Sequence, residues 1–420
     1  MCSYQRFELA LPTRLFAKKM GINMKKSAIA LAIALGTVSF HSAAEIRING
    51  FASIIGGQTL DSDDTLYGYD NDFDMENRSL FALQLSADLQ ESLTATAQIV
   101  GRGQNDFDAE FEWAYLTYAI SDSSQISAGK MRIPFYRYSD FLDVGYAYRW
   151  VKPPQSVYNL SFSTYNGLSY IHNSTLGEWE STVQLALGSV DDDIVAITYS
   201  DEAELNNTVG INWTLSRDWF SARAAYFATE ASISAANSPE LSGLLAGLTG
   251  YGLTQQADDI AVDKDDAYFA AIGISIDYND ILFDAEYTQF DVDNSILAKQ
   301  QQYYASIGYR IDTWTLHLTY EHNEDKNEND EFNSVPLTIT APNGVTIPVT
   351  TDPTNPNAPY LRTLVNGALA GARAESETWS IGARYDFHPS AAFKIELNQF
   401  NNTLTDQKVE LLSFGIDLVF

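Results

Sequence analysis

Cysteine is nearly absent from the 420-residue chain, whose single cysteine is Cys2. Disulfides, thiolate metal sites and cysteine nucleophiles all need this residue type in the mature protein. Because Cys2 precedes the export signal described below, the sequence excludes all three from the mature chain. Nothing in the sequence predicts a metal or another cofactor.

Positive charge is also scarce. The chain has 25 Lys and Arg against 55 Asp and Glu, which gives a formal net charge of −30. A surface with this excess of carboxylates repels phosphate backbones. The sequence therefore predicts no nucleic-acid partner and argues against other polyanions.

Long apolar runs are missing except near the N-terminus. There, Met24-Lys25-Lys26 precedes an apolar run from Ala28 to Phe40, and Ser42-Ala43-Ala44 follows. A basic start, a short apolar run and a small-x-small site predict a signal peptide over 24–44. Cleavage after Ala44 makes residues 45–420 the mature domain. Residues 1–23 have no place in this scheme, and we interpret them as an upstream start assigned in error.

What the chain has in quantity is aromatic residues and alternating hydrophobicity. It contains 24 Tyr and 22 Phe, and its last segment alternates apolar residues with small or polar ones. The apolar set there is Leu412, Phe414, Ile416, Leu418 and Phe420. A strand directs successive side chains to opposite faces, so one face is apolar. The pattern recurs about sixteen times in the mature chain, in segments as long as a tilted membrane strand.

The links between these segments alternate in length. The short links lie near 89–92, 121–123, 175–177, 216–218, 279–280, 312 and 388–390. The long ones include 58–74, 131–164, 190–205, 231–265 and 326–372. Short turns at one end and long loops at the other predict a transmembrane antiparallel β-barrel of about 16 strands, with periplasmic turns and extracellular loops. A closed barrel has no free edge, so we expect the last strand to pair with the first.

Two outer segments need separate interpretation. Ile194–Ser200 also alternates, but a further strand would make the count odd. We therefore assign it to a structured outer loop. The proline-rich segment 326–372 is not compatible with a central strand, and we expect it to be a mobile outer loop.

The C-terminus resembles the signal that the barrel-assembly machinery recognises in Gram-negative outer-membrane proteins, through Gly415, Leu418 and Phe420. Gln125–Pro134, a strand ending in glycine and a basic residue, resembles the Gram-negative porin family where its third loop begins. This resemblance implies a 16-stranded general-porin barrel in the cell outer membrane. It also implies that 131–164 is a third loop folded into the lumen, where it narrows the channel. Further implications are a homotrimer and contact with outer-membrane lipid and lipopolysaccharide.

The resemblance also suggests residues for the constriction, because classical general porins place loop carboxylates opposite wall arginines. The wall candidates are Arg47, Arg78, Arg102, Arg384 and Lys394, and the loop carboxylates are Asp140 and Asp143. The same loop departs from the acidic pattern by also carrying Arg132, Arg137, Arg149 and Lys152. We expect a neutral to positive constriction inside an acidic vestibule, which would set ion preference. The alternative is that some of these arginines form structural pairs with Asp or Glu.

These observations favour a passive diffusion channel for small hydrophilic solutes and ions. One alternative is a channel selective for an anion or a sugar, with the aromatic residues of 131–164 along its path. Another is a non-conducting structural or adhesive barrel. An enzyme is not expected, because no motif joins a histidine of the mature chain to a serine nucleophile or a metal set. These histidines are His172, His317, His322 and His388.

Overall fold

The computed structural model describes residues 45–60, 64–159, 162–195, 200–234, 239–250, 252–293, 295–326, 338–340, 344–348, 364–365, 367–368 and 373–420. The upstream start and the signal peptide lie outside these residues and stay predictions. Most of 326–372 also lies outside them, so its mobility is a prediction as well.

Sixteen strands of the described residues close into one antiparallel barrel, which confirms the predicted fold class. The first eight are β1 (Ile46–Thr59), β2 (Leu80–Gln90), β3 (Leu93–Arg102), β4 (Ala109–Ser121), β5 (Ser124–Arg132), β6 (Thr164–Leu176), β7 (Trp179–Val195) and β8 (Ser200–Arg217). Five more are β9 (Phe220–Ile233), β10 (Val262–Tyr278), β11 (Ile281–Val292), β12 (Lys299–Ile311) and β13 (Trp314–Lys326). A separate hairpin follows, of β14 (Thr338–Thr340) and β15 (Thr346–Pro348). The barrel then continues with β16 (Glu375–His388), β17 (Ala391–Asn402) and β18 (Gln407–Val419).

The barrel closes where β18 pairs with β1, and we call this junction the seam. Its register runs from Phe51 opposite Val419 to Thr59 opposite Leu411. Beyond it, Gly50 and Phe420 exchange two backbone hydrogen bonds of 2.7 and 2.9 Å. The Phe420 ring, 61% exposed, lies 5.9 Å from the Phe81 ring. The terminal strand is therefore a paired strand and leaves no open edge.

Seven connections at one end of the barrel are two-residue turns: 91–92, 122–123, 177–178, 218–219, 279–280, 312–313 and 389–390. Asn279 and Asp280 both have positive φ, 47° and 66°, as a type I′ hairpin turn requires. Longer connections lie at the other end, where they include 60–79, 133–163, 234–261 and 327–374. The predicted asymmetry of short turns and long loops is confirmed.

The connection between β7 and β8 differs from the prediction. β7 runs to Val195 and β8 begins at Ser200, with backbone pairing from Val190–Leu205 to Val195–Ser200. The segment assigned to a loop is thus divided between two strands, with 196–199 outside the described residues, and the predicted long link over 190–205 is wrong. The strand count stays even because the antiparallel pair itself extends beyond its neighbours, after a register shift between Gly188 and Val190.

The two faces of the barrel are reversed relative to a soluble protein. Large apolar side chains point outward, as at Ile272, Ile307 and Ile381, which are 59%, 53% and 61% exposed. Polar side chains such as Thr288 and Lys394 are buried inside. This distribution suits a wall between lipid and a polar lumen.

Two short helices lie in the loop after β9: α1 (Pro239–Gly250) and α2 (Thr254–Asp258). They pack with Ile260, Ile296 and Val365 into a small apolar cluster of their own. No helix in the described ranges is long and apolar enough to cross a membrane.

Candidate functional site

The connection between β5 and β6 folds into the barrel, and we call residues 133–163 the inner loop. Short 3₁₀ turns at Ser139–Phe141 and Gly145–Ala147 keep it compact. Its contacts reach lumen-facing residues of β4, β9, β11 and β13, among others. The predicted position of the third loop in the lumen is confirmed.

One side of the lumen is filled by aromatic residues of the inner loop. The Phe135 ring lies 4.7 Å from the Phe227 ring and 4.4 Å from the Phe269 ring, between centroids. Trp150 packs at 5.9 Å against Tyr304, and both side chains are 1% exposed. These rings form a dry core against the barrel wall. They do not form an open surface along the lumen, as a sugar path over this loop would require.

Ion pairs and hydrogen bonds hold the inner loop to the same side of the wall. Arg149 Nη1 donates to Asp284 Oδ2 at 2.6 Å, and Trp150 Nε1 donates to Thr319 Oγ1 at 2.8 Å. Arg137 Nε lies 3.7 Å from Asp284 Oδ1. Buried charge is tolerated here because each group has a partner of opposite sign.

Strands β16–β18, next to the seam, supply a second anchor for the inner loop. Lys394 Nζ donates to the carbonyl oxygens of Gly145 and Trp150 at 2.6 and 2.7 Å, and lies 2.8 Å from Asp417 Oδ2. Arg384 Nη1 donates to two further loop carbonyls, at 2.7 and 2.8 Å. A Cβ at Gly145 would lie 2.0 Å from Asp417 Oδ1, so this close approach requires glycine. The four cations Arg137, Arg149, Arg384 and Lys394 therefore position the loop.

The opposite side of the lumen, toward β2–β6, carries an ion-pair cluster of Arg102, Glu112, Arg132 and Asp143. Asp143 Oδ2 accepts from Arg132 Nη2 at 2.5 Å and from Arg102 Nη2 at 3.0 Å. Glu112 lies 2.8 Å from Arg102 and 3.2 Å from Arg132. Burial raises the pKa of Asp143, but the two guanidinium groups outweigh it and lower the pKa to about 2. Asp143 is therefore charged at physiological pH.

Glu112 was not predicted from the sequence, because a β-bulge conceals it. Gln98 lies opposite Trp113 and Ile99 opposite Phe111, so Glu112 is the extra residue of β4. Glu112 and Trp113 are consequently both buried in the lumen, while Phe111 is 60% exposed outside. Alternation alone places consecutive residues on opposite faces, and a bulge breaks that rule. In the sequence, the bulge is indicated only by an interruption of the period-two alternation at this position.

A cavity of about 270 Å³, which we call the outer cavity, lies against this cluster. Three cations and one carboxylate line it: Arg78, Arg102, Lys152 and Asp143. Arg78 Nη2 donates to Gln155 Oε1 at 2.5 Å. Within the described part of the chain, no carboxylate lies within ion-pair distance of Lys152. Burial lowers the pKa of Lys152 to about 8, although nearby Asp143 opposes the shift.

Arg132 faces a second space, on the other side of the ion-pair cluster. We call it the inner cavity; it measures about 290 Å³ and is also lined by Trp113 and Asp140. Arg102 and Asp143 line the outer cavity and Arg132 the inner one, so the cluster lies between the two. Arg47 is separate from all of these residues, because it pairs with exposed Asp88 at 2.7 Å near the turn end.

A closed sixteen-stranded barrel with a loop folded into a charged lumen is the architecture of known outer-membrane channels. The family model for Gram-negative porins matches residues 28–405 of this chain. The chain belongs to the Gram-negative porin family. It is therefore an outer-membrane channel protein, as the resemblance at Gln125–Pro134 predicted. Among the described residues of this porin, no group of three or more His, Cys, Asp or Glu is arranged to hold a metal ion.

Solved structures show the same fold at low sequence identity. The outer-membrane channel DcaP of Acinetobacter baumannii has a TM-score of 0.54 at 10% identity and covers 91% of this porin and 99% of its own chain. An anion-selective porin from Comamonas acidovorans has a TM-score of 0.52 at 10% identity and covers 90% of this porin and 100% of its own chain. A loop-deletion mutant of OmpT from Vibrio cholerae has a TM-score of 0.51 at 12% identity and covers 90% of this porin and 100% of its own chain. No curated protein sequence matches the chain.

Proposed function

We propose that this porin is a passive diffusion channel for small hydrophilic solutes and ions, and that its constriction favours anions. The supporting observation is the outer cavity, where Arg78, Arg102 and Lys152 face a single carboxylate, Asp143. In the ion-pair cluster beside it, Arg102 and Arg132 are neutralised by Glu112 and Asp143, and half-exposed Glu110 also lies 2.9 Å from Arg102. Arg78 and Lys152 therefore supply the positive charge of the cavity. The porin from Comamonas acidovorans, which has the same fold, is described as anion-selective.

The net charge of −30 favours cations, but it acts on a passing ion over a different distance than the charges of the constriction do. Surface charges are screened within about 8–10 Å at physiological ionic strength, whereas charges lining a narrow lumen act directly on a passing ion. We therefore expect the acidic loops to affect ion entry mainly at low salt. The constriction sets selectivity at higher salt.

The reversal potential of purified protein in a planar bilayer under a potassium chloride gradient tests this proposal. The unaltered channel should prefer chloride, and the double variant R78M/K152M should shift the potential toward potassium. Arg47→Met, at the turn end, is the matched control and should leave the potential unchanged. Strong cation selectivity that the double variant does not alter would contradict the proposal.

The same recording addresses a second candidate, a non-conducting structural barrel. The aromatic core of the inner loop favours this candidate because it occupies one side of the lumen. A folded barrel that gives no single-channel current would support it over diffusion.

We propose further that the porin has no enzymatic activity. Its buried histidine, His317, packs at 6.4 Å against the Trp150 ring and lies 3.5 Å from Glu396. These contacts support a role in holding the inner loop. Hydrolysis of lipid or peptide substrates by purified folded barrel, lost in His317→Gln, would contradict this view.

For assembly, we propose a homotrimer in contact with lipopolysaccharide, inserted by the barrel-assembly machinery. An apolar groove of about 440 Å³ on the outer face of β2–β5 supports the oligomer, because small residues allow close approach. Its small side chains are Ala87, Ala95, Ala97, Ala114 and Ala128. Cross-linking in mild detergent should yield a trimer that Ala97→Trp weakens, and a monomer throughout would overturn the proposal.

A further inference from the structure

The inner cavity is lined by the walls of β2 and β4–β7 and by Asp140 of the inner loop. A neighbouring space of about 520 Å³ shares Gln84, Trp113 and Asp140 with it and continues toward Phe420. Small-molecule sites have volumes of roughly 300–1,000 Å³. Together, these spaces are therefore large enough for a molecule of sugar size.

The lining of these two spaces is almost uncharged. Its polar side chains are mostly amides and hydroxyls, among them Gln84, Gln98, Thr117, Gln125, Ser127 and Gln184. The charged side chains are Arg132 and Asp140, which are opposite in sign. Arg132 is also bound to Asp143 and Glu112. The lining differs in this respect from the cationic outer cavity and suits a neutral solute.

Two buried polar atoms at this lining have no hydrogen-bond partner among the described residues. They are Nε1 of Trp113, a donor, and Oε1 of Gln98, an acceptor, on side chains 8% and 2% exposed. The two residues lie opposite each other in the β3–β4 register. An unpaired buried polar group is costly, so each atom favours a ligand that completes its bonding.

A hydroxyl group meets both needs, because it donates one hydrogen bond and accepts others. The Tyr115 ring lines the same cavity and offers apolar surface to the C–H face of a sugar ring, whereas the Arg132 guanidinium lies 5.2 Å from the centroid of the Trp113 ring. Neither feature suits a simple ion. We propose that the inner cavity is a binding subsite for an uncharged polyhydroxylated solute of mono- or disaccharide size. This inference rests on the proposed channel function and names a solute class for it.

The test is block of single-channel current by glucose and sucrose, with tetraethylene glycol as a flexible probe lacking sugar rings. We expect sugars to interrupt the current in a saturable way and the glycol to reduce it only in proportion to volume. Trp113→Phe removes the indole N–H, and Gln98→Met removes the acceptor with little change in size. Each variant should raise the half-blocking sugar concentration about fivefold, the effect of losing one hydrogen bond.

Trp314→Phe is the matched control, because this tryptophan points outward and is 42% exposed. Heat-modifiable mobility in SDS gels establishes that each variant is a folded barrel, and salt conductance establishes that it is an open one. Normal salt current with no saturable sugar block would show that only water occupies the cavity and would overturn the subsite alone. Unchanged block in both variants would also overturn it. A folded barrel without any current would overturn the channel proposal as well.

Discussion

At the scale of single residues, the lumen divides its charges between two tasks. Lys394 and Arg149 are nearly fully buried and hold the inner loop, whereas Lys152 and Arg78 line an open cavity. Of these two lining cations, Lys152 responds to pH, since burial lowers the pKa of its ammonium group to about 8. A lysine is charged below its pKa and neutral above it, so Lys152 loses its charge just above physiological pH.

We therefore expect the anion preference to decrease as the pH rises from 7 to 9, with a midpoint near 8. Reversal potentials across this range measure the effect. In Lys152→Met the preference should be weaker at pH 7 and constant up to pH 9. Lys408→Met, which alters an exposed lysine of β18, should keep the pH dependence. The same pH slope in Lys152→Met and in the unaltered protein would exclude Lys152 as its origin.

At the scale of elements, the inner loop depends on partners that are distant in sequence. Its carbonyls at Gly145 and Trp150 bind Lys394, and Lys394 binds Asp417, which also accepts from Ser53 Oγ at 2.5 Å. These contacts join the loop to β17, β18 and β1. The loop and the seam should therefore lose stability together.

Lys394→Met should lower the free energy of unfolding by about 3–5 kcal/mol, because the buried Asp417 carboxylate loses its cation. The double variant K394M/D417N removes the unpaired charge and should recover much of the loss. Arg310→Met is a control for an exposed pair, Arg310–Asp277 at 2.8 Å, and should cost at most about 1 kcal/mol. Urea unfolding in lipid vesicles measures all three variants. A loss for Lys394→Met no larger than that for Arg310→Met would contradict the anchor.

The elements also show what the sequence could and could not predict. Period-two alternation and link lengths were sufficient for the barrel, because lipid outside and polar lumen inside impose them on each strand. The two parts of 194–200 were misassigned because alternation does not show where a hairpin turns. Glu112 was missed because a bulge is a property of strand pairing. The arginines of the lumen were predicted from the sequence. Whether an arginine holds the inner loop, as Arg149 does, or lines a cavity, as Arg78 does, depends on how the loop packs, and the sequence does not show this.

At the scale of the whole molecule, the last residue takes part in closing the barrel. Phe420 contributes backbone bonds to Gly50 and a ring contact to Phe81 on β2. From the resemblance of Gly415, Leu418 and Phe420 to an assembly signal, we propose a second role, recognition by the assembly machinery. The backbone of Phe420 serves closure, and its ring is the part that the assembly machinery would recognise, so the two roles can be tested separately.

Phe420→Ala should keep the backbone bonds but remove the ring, whereas deletion of Phe420 removes both. In detergent refolding, where closure alone matters, deletion should slow barrel formation several-fold more than the alanine variant. In vesicles containing the assembly machinery, both variants should fold slowly. The measurement is the fraction of heat-modifiable barrel over time. An alanine variant that folds at the normal rate with the machinery would show that the ring is not recognised.

The contacts of the inner loop also reach across the barrel from one side to the other. On one side Ser163 donates to Glu112 of β4, and on the other Arg149 pairs with Asp284 of β11 and Lys394 of β17 binds Gly145. A loop of fixed length meets these partners only when a set number of strands separates them. Gain or loss of one hairpin between β6 and β16 would move Asp284 or Lys394 away from the loop. Evolution by hairpin duplication, a simple route to wider barrels, is therefore open to this protein only if the loop changes in the same step.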